Sequence, residues 1–402
     1  MPRVNPEILR WARETAGLAP EEAVQKLDIN DARGVAAVDH LAAYEAGNRE
    51  PSRPLLLRMA KHYRRPLLAF YLSQPPRRGD RGEDFRTLPP DQRRPADALV
   101  DALTRDVKAR QSMVRSLLVD EEDAQPLPFV GSMRVEQGVN AVLGSIVRTI
   151  GIDLADFRAQ ASPEGAFALL RSRVENAGIF VLLIGNLGNH QTTLDVETFR
   201  GFAIADPIAP FVVINDQDAK SAWSFTLIHE LAHLWIGATG VSGFYSDGAI
   251  ERFCNDVAGA YLLPNAEIDL LAVNLDTDPE TLSRLISDFA RERHLSRSMV
   301  AYRLLRVGKL TDETWRLITN RFRQQWRQRR DAERERDRQT DGGPNYYVVR
   351  RHRLGSALLR LVSRNLSDGL LTPTKASKVL GVKPRSVQPL LSGASLTPVK
   401  AA

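Results

Sequence analysis

Residues 221–237, SAWSFTLIHELAHLWIG, carry apolar side chains around the whole circumference of a helix rather than along one stripe. A helix of that kind is buried on every side, so the rest of the chain must enclose it. Lipid is not the enclosure. The longest apolar run, Ile179–Ile184, is far below the ~20 residues of a membrane span. A length of 402 residues suggests two to four domains. The single cysteine excludes an intrachain disulfide. The polar start MPRVNPEILRWARETAG lacks an apolar signal segment, and the expectation is a soluble cytoplasmic protein.

Around the central helix the hydrophobic period changes. Residues 4–73 read as short helices joined by Gly or Asn turns, a compact all-α unit. Residues 74–96 are rich in Pro, Arg, Gly and Asp and read as a linker, followed by a helix over 97–123. Residues 135–177 are helical again. Then GIFVLLI, FRGFAIA and PFVVIN read as strands of a small sheet. After the central helix, ERFCNDVAGAYLL is a second helix closed by Pro264, and 279–322 and 315–341 read as further helices, the last charged and exposed. The expected domains are 1–73, a linker and helix over 74–134, an α+β domain over 135–325, a charged helical linker over 326–342 and a helical region over 343–402. The fold class is mainly α with an α+β core. Charge is uneven: 343–402 is formally +9 and the remainder −3. That suits a polyanionic partner and equally a solvated basic surface.

Within the central helix, His229-Glu230-Leu231-Ala232-His233 matches H-E-x-x-H. Residues at i and i+4 share one helix face, so His229 and His233 can hold one metal ion, with Glu230 beside it as the base. The plain alternative is a pair of core histidines. A catalytic zinc has three protein ligands and an open position. Glu251, at the start of the next helix, is the candidate third ligand, with Asp247 and Asp256 as substitutes. Glu251 also suits a helix N-terminus by charge alone. Asn255, one turn on, can orient a histidine. Cys254 reads as small core filling or as a group near the metal. Tyr245 and Tyr261 are candidate donors to an oxyanion. The expected cofactor is one Zn2+ per chain. A strand, FRGFAIA or PFVVIN, is the candidate for pairing with an extended substrate.

FTLIHELAHLWIG followed by ERFCNDVAGAYLLP resembles the ImmA/IrrE family of bacterial metallopeptidases (domain of unknown function 955). FRGFAIADPIAPFVVIN and EDFRTLP are similar to it too. YEAGNREPSRPLLLRMAKHYRRPLLAFYL resembles the helix-turn-helix module of the xenobiotic-response-element type found in phage Cro and repressor proteins. The resemblance implies a small thermolysin-like, gluzincin-type zinc fold with His229, His233 and Glu251 as ligands and Glu230 as base. It also implies a protein substrate, a helix-turn-helix repressor cut to release stress, mobile-element or defence genes. Ala222-Trp223 departs from the family, which often carries an Arg there. The competing readings are a DNA-binding regulator and an antitoxin-like binding protein, each with a structural or vestigial metal site.

As a DNA reader, the third helix of the N-terminal module offers Asp39, His40 and Glu45 and none of the Arg, Lys, Gln or Ser that meet bases. Arg49 and Arg53 after it can touch phosphate. Near the C-terminus, TKASKVLG, a Gly381 turn and SVQPLL resemble a minimal second helix-turn-helix, with Lys383, Arg385, Ser386 and Gln388 as candidate DNA contacts.

Overall fold

The computed structural model describes residues 3–32, 34–76, 95–121, 124–188, 192–238, 240–242, 248–339 and 345–392. The chain divides into two units, Met1–Val107 with Leu187–Leu194, and Lys108–Asn186 with Asp195–Ala402.

In the first unit, helices α1 (Pro6–Thr15), α2 (Pro20–Leu27), α3 (Ala37–Glu45) and α4 (Arg53–His62) surround a core of Ile8, Leu9, Leu27, Leu41, Leu56 and Met59. Local chemistry sets their starts. Asn5 accepts from the Glu7 amide before α1, and Ser52 from Leu55 before α4, each satisfying an amide the helix leaves orphaned. One expectation for α3 changes. Glu45 does not face outward: its carboxylate is buried against Arg13 in a bidentate pair (Nε–Oε1 2.7 Å, Nη2–Oε2 3.0 Å). Only Asp39 and His40 of the expected trio remain at least partly exposed. Helix α5 (Pro95–Asp120) passes from this unit into the second.

The second unit continues with α6 (Val139–Ile150), α7 (Leu154–Arg158) and α8 (Pro163–Asn176). Strands β1 (Phe180–Leu183), β2 (Gly201–Ile204) and β3 (Phe211–Ile214) follow, then α9 (Lys220–Trp235), strand β4 (Gly240–Ser242) and α10 (Ala249–Leu262). Among the described residues the sheet order is β1-β3-β2-β4, with β1 parallel to β3 and the other pairs antiparallel. All residues of β1, β2 and β3 are buried, which is why they read as unbroken apolar runs rather than as alternating ones. This order corrects one expectation. FRGFAIA and PFVVIN form β2 and β3, both inside the sheet, so their backbone groups are already paired and cannot receive a substrate strand.

Helix α9 is the centre of the unit. Thirteen of its sixteen residues are buried, between β2 and β3 on one side and α6, α8 and α10 on the others. Its C-terminal end is pinned. The Gly131 amide donates to Leu234 O and the Met133 amide to Trp235 O (both 2.9 Å), satisfying carbonyls that a helix end leaves open. The Trp235 ring stacks on Phe129 at 4.5 Å and its indole N–H donates to Ser145.

Beyond α10 lie α11 (Asn265–Ile268), α12 (Pro279–Glu292), α13 (Arg297–Arg306) and α14 (Asp312–Gln339). The start of α14 is not exposed as expected: Ile318 and Phe322 are buried against the core. The C-terminal helices are α15 (Tyr346–Leu354), α16 (Ser356–Ser367), α17 (Pro373–Leu380) and α18 (Val387–Ser392). Helices α15 and α16 pack along edge strand β1. Their anchor is a buried ion pair on α8, Arg171 Nε to Glu175 Oε1 at 3.0 Å. Arg171 also donates to the carbonyls of Val181, His352 and Arg353. Glu175 Oε2 accepts from the amides of Ser356 (3.0 Å) and Ala357 (3.1 Å) and from the Ser356 hydroxyl, capping α16. Gly355 passes over this pair at φ +79°, where a β-carbon would stand 2.1 Å from Glu175 Oε1.

Candidate metal centre

His229 and His233 lie one turn apart on the face of α9 turned toward α10, and Glu251 enters from the first turn of α10. The His229 and His233 Nε2 atoms are 3.1 Å apart. Glu251 reaches both, Oε2 to His229 Nε2 and Oε1 to His233 Nε2, each at 3.3 Å. Zinc bonded to N and O at ~2.0–2.1 Å in a tetrahedron needs donors about 3.3 Å apart. The triangle has that size and that donor chemistry, so the residues fit a zinc ion and leave one tetrahedral position open. Among the described residues these three side chains form the one group of His, Cys, Asp and Glu close enough to share an ion.

The electrostatics follow from burial and from the shared carboxylate. Burial pushes His229 below the usual histidine range, against the opposing pull of Glu251 and Asn255. Burial acts the same way on His233, but Cys254 and Glu251 outweigh it and hold that imidazole well above its usual range. Burial alone would raise Glu251; its hydrogen bonds with the two histidines win and hold the carboxyl far below the usual range. A metal would therefore displace a proton shared within the cluster.

Glu230 is wholly buried on the side of α9 that faces β2. Asn255 lies one turn beyond Glu251 on α10 and acts on His229 by raising its pKa against burial. Cys254 is buried beside His233, and burial pushes its thiol pKa up against the opposing pull of His233. The remaining candidates are placed elsewhere. Asp256 accepts from Tyr302 (2.8 Å) and pairs with Arg306 (2.6 and 2.9 Å), facing α13. Tyr261 is ten residues beyond Glu251 on α10, about 15 Å along the axis. Burial raises its hydroxyl pKa, and the charges acting on it are Arg158, Asp153 and Asp156 of the α7 region. The structure does not bring it together with the three metal donors. Tyr245 and Asp247 lie outside the described residues. Lys383, Arg385 and Gln388 are exposed and Ser386 half-buried, around a short turn of helix at Pro384–Ser386 that leads into α18. Arg49 and Arg53 are exposed, with the Arg49 guanidinium over the Tyr44 ring at 5.4 Å.

One contributor escapes a motif reading, Gly201 of β2, where a β-carbon would stand 2.7 Å from Glu230 Oε1. A glycine inside an otherwise bulky apolar strand is the signal that marks it.

Neither the curated proteins nor the solved structures give a match to this chain. The span from just before β1 to α13, residues 177–305, matches the peptidase M78 family model, described as the IrrE N-terminal-like domain, which supports a metallopeptidase-type function.

Proposed function

We propose that this chain is a zinc-dependent endopeptidase of regulatory type, with a minimal thermolysin-like (zincin) domain, that cuts a helix-turn-helix repressor and so releases stress, mobile-element or defence genes. The observation that carries the enzymatic part is the donor triangle: two imidazoles and a carboxylate spaced 3.1–3.3 Å apart, with a second carboxylate next to one of them in sequence. His229, His233 and Glu251 hold the ion, which when bound supplies Lewis acidity toward water and the scissile carbonyl. Glu230 takes the proton of the attacking water and delivers it to the leaving amine. Asn255 orients His229. With β2 and β3 inside the sheet and β1 covered by α15 and α16, the outer edge of β4 is where an extended chain adds.

The repressor part rests on the resemblance of 177–305 and of the N-terminal helices. A module that docks on DNA or on a like-folded repressor raises the local concentration of substrate, which a general digestive protease does not need. The DNA-binding reading has its own support in the exposed Lys383, Arg385 and Gln388 of the basic C-terminal region. The test is metal analysis joined to co-expression with neighbouring gene products. Wild type should carry one zinc per chain, His233→Ala should lose it, and Glu230→Gln should keep it while losing cleavage. A protein that carries no zinc, or a Glu230→Gln variant that still cuts, refutes the enzyme. Casein should survive incubation with the zinc-loaded protein.

A further inference from the structure

Gly201 is the first residue of β2, paired with Ile214 of β3 and Ser242 of β4. Glycine weakens a strand, and within one it marks a close approach by another group. The group here is Glu230. A β-carbon on Gly201 would stand 2.7 Å from Glu230 Oε1, 2.7 Å from Thr226 Cγ2 and 3.1 Å from the Val213 carbonyl. Carbon does not tolerate the first two separations. Of the three neighbours, the Val213 carbonyl is fixed in the centre of the sheet, and Thr226 and Glu230 both sit on the buried α9, where the threonine methyl turns about one torsion and the glutamate carboxylate about three. The Glu230 carboxylate, at the end of a flexible side chain, is the one that gives way.

From this we infer that Gly201 is a positioning residue: its missing side chain is the space that holds the Glu230 carboxylate in place. The inference rests on the reading of Glu230 as the base, and it touches none of the three metal donors. Gly201→Ala should therefore retain one zinc per chain. With a cleavable partner, kcat should fall by about 100-fold or more, in the range a general base contributes, with KM little changed. In a Glu230→Gln background the same substitution should cost no further activity.

A thermal-unfolding cycle gives a readout that needs no substrate. Gly201→Ala should destabilise the wild-type background more than a Glu230→Ala background, where the obstructed carboxylate is gone. If Gly201→Ala fails to fold, recovery of folding in the Gly201→Ala/Glu230→Ala double variant supports the inference. Equal destabilisation in both backgrounds, or failure of both variants to fold, overturns it. So does full retention of kcat by a folded Gly201→Ala. Absence of zinc from the wild type would instead refute the peptidase reading, and the thermal cycle would still decide the packing claim.

Discussion

Replacing Glu175 with Ala tests whether the C-terminal helices are held to the rest of the second unit by one buried ion pair. The Arg171 and Glu175 side chains are only 8% and 2% exposed. Burial pushes the Arg171 pKa down even with Glu175 beside it, so this guanidinium depends on its partner. Removing the carboxylate leaves that charge uncompensated and strips the start of α16 of three hydrogen bonds. Breaking one side of a buried pair costs about 3–5 kcal/mol. At about 1.7 °C per kcal/mol for a unit of nearly 290 residues, Tm should fall by roughly 5–8 °C. Limited trypsin digestion should also cut sooner within 345–392, because cleavage at its arginines and lysines needs locally unfolded backbone, which α15–α18 supply only once undocked. The control is Asp288→Ala on the exposed Arg291–Asp288 pair, 75% and 54% exposed, where solvent screening leaves little to lose. If the two variants melt alike and the C-terminal segment is no more sensitive to trypsin, the pair does not anchor the region and the reasoning fails.

Three further outcomes follow from the geometry. Burial, reinforced by Arg171, lowers the pKa of His352 while Asp216 opposes and Lys220 and Arg353 add to the fall. Below its unfolded value of ~6.5 the unfolded chain binds a proton that the fold resists, so stability should drop from pH 7 to pH 5, and His352→Gln should flatten that slope in pH-dependent denaturant titrations. If the C-terminal region binds duplex DNA, Lys383→Gln with Arg385→Gln should reduce the salt slope of log K by about 2; an unchanged slope removes these residues as phosphate contacts. Cys254 is fully buried, so native protein should resist alkylation at pH 8 and react at once in denaturant; rapid labelling of the folded chain would contradict its packing beside His233.

How much of this was legible from residues alone depends on the sequence distance over which each feature is made. Helix starts at Asn5 and Ser52 and the burial of α9 follow from patterns within one or two turns, and the helices and strands stand close to their expected places. The pair His229 and His233 is equally local. Glu251 was legible because a helix-opening carboxylate only 18 residues past His233 is within reach of an antiparallel return. The sheet order was not. FRGFAIA and PFVVIN look equally suited to an edge or an interior place, and only their pairing with β1 and β4 decides.

The Arg171–Glu175 pair shows why the remainder was hidden. As an i,i+4 pair of opposite charge it is indistinguishable in sequence from a solvated helix-surface bridge, worth a few tenths of a kcal/mol. What changes its meaning is Ser356, 181 residues away, whose amide needs a cap at the point where Gly355 brings the chain against α8. Gly201 is the same case at shorter range: the strand pattern tolerates it, and only the approach of α9 gives the missing β-carbon a use. In both places the sequence deviates mildly from local preference, a buried charge pair or a glycine in a strand, and the reason lies in a second element packed against it. The H-E-x-x-H motif could be read because it is confined to one helix turn, whereas the buried pair and the strand glycine acquire their use only once the fold brings their partners to them.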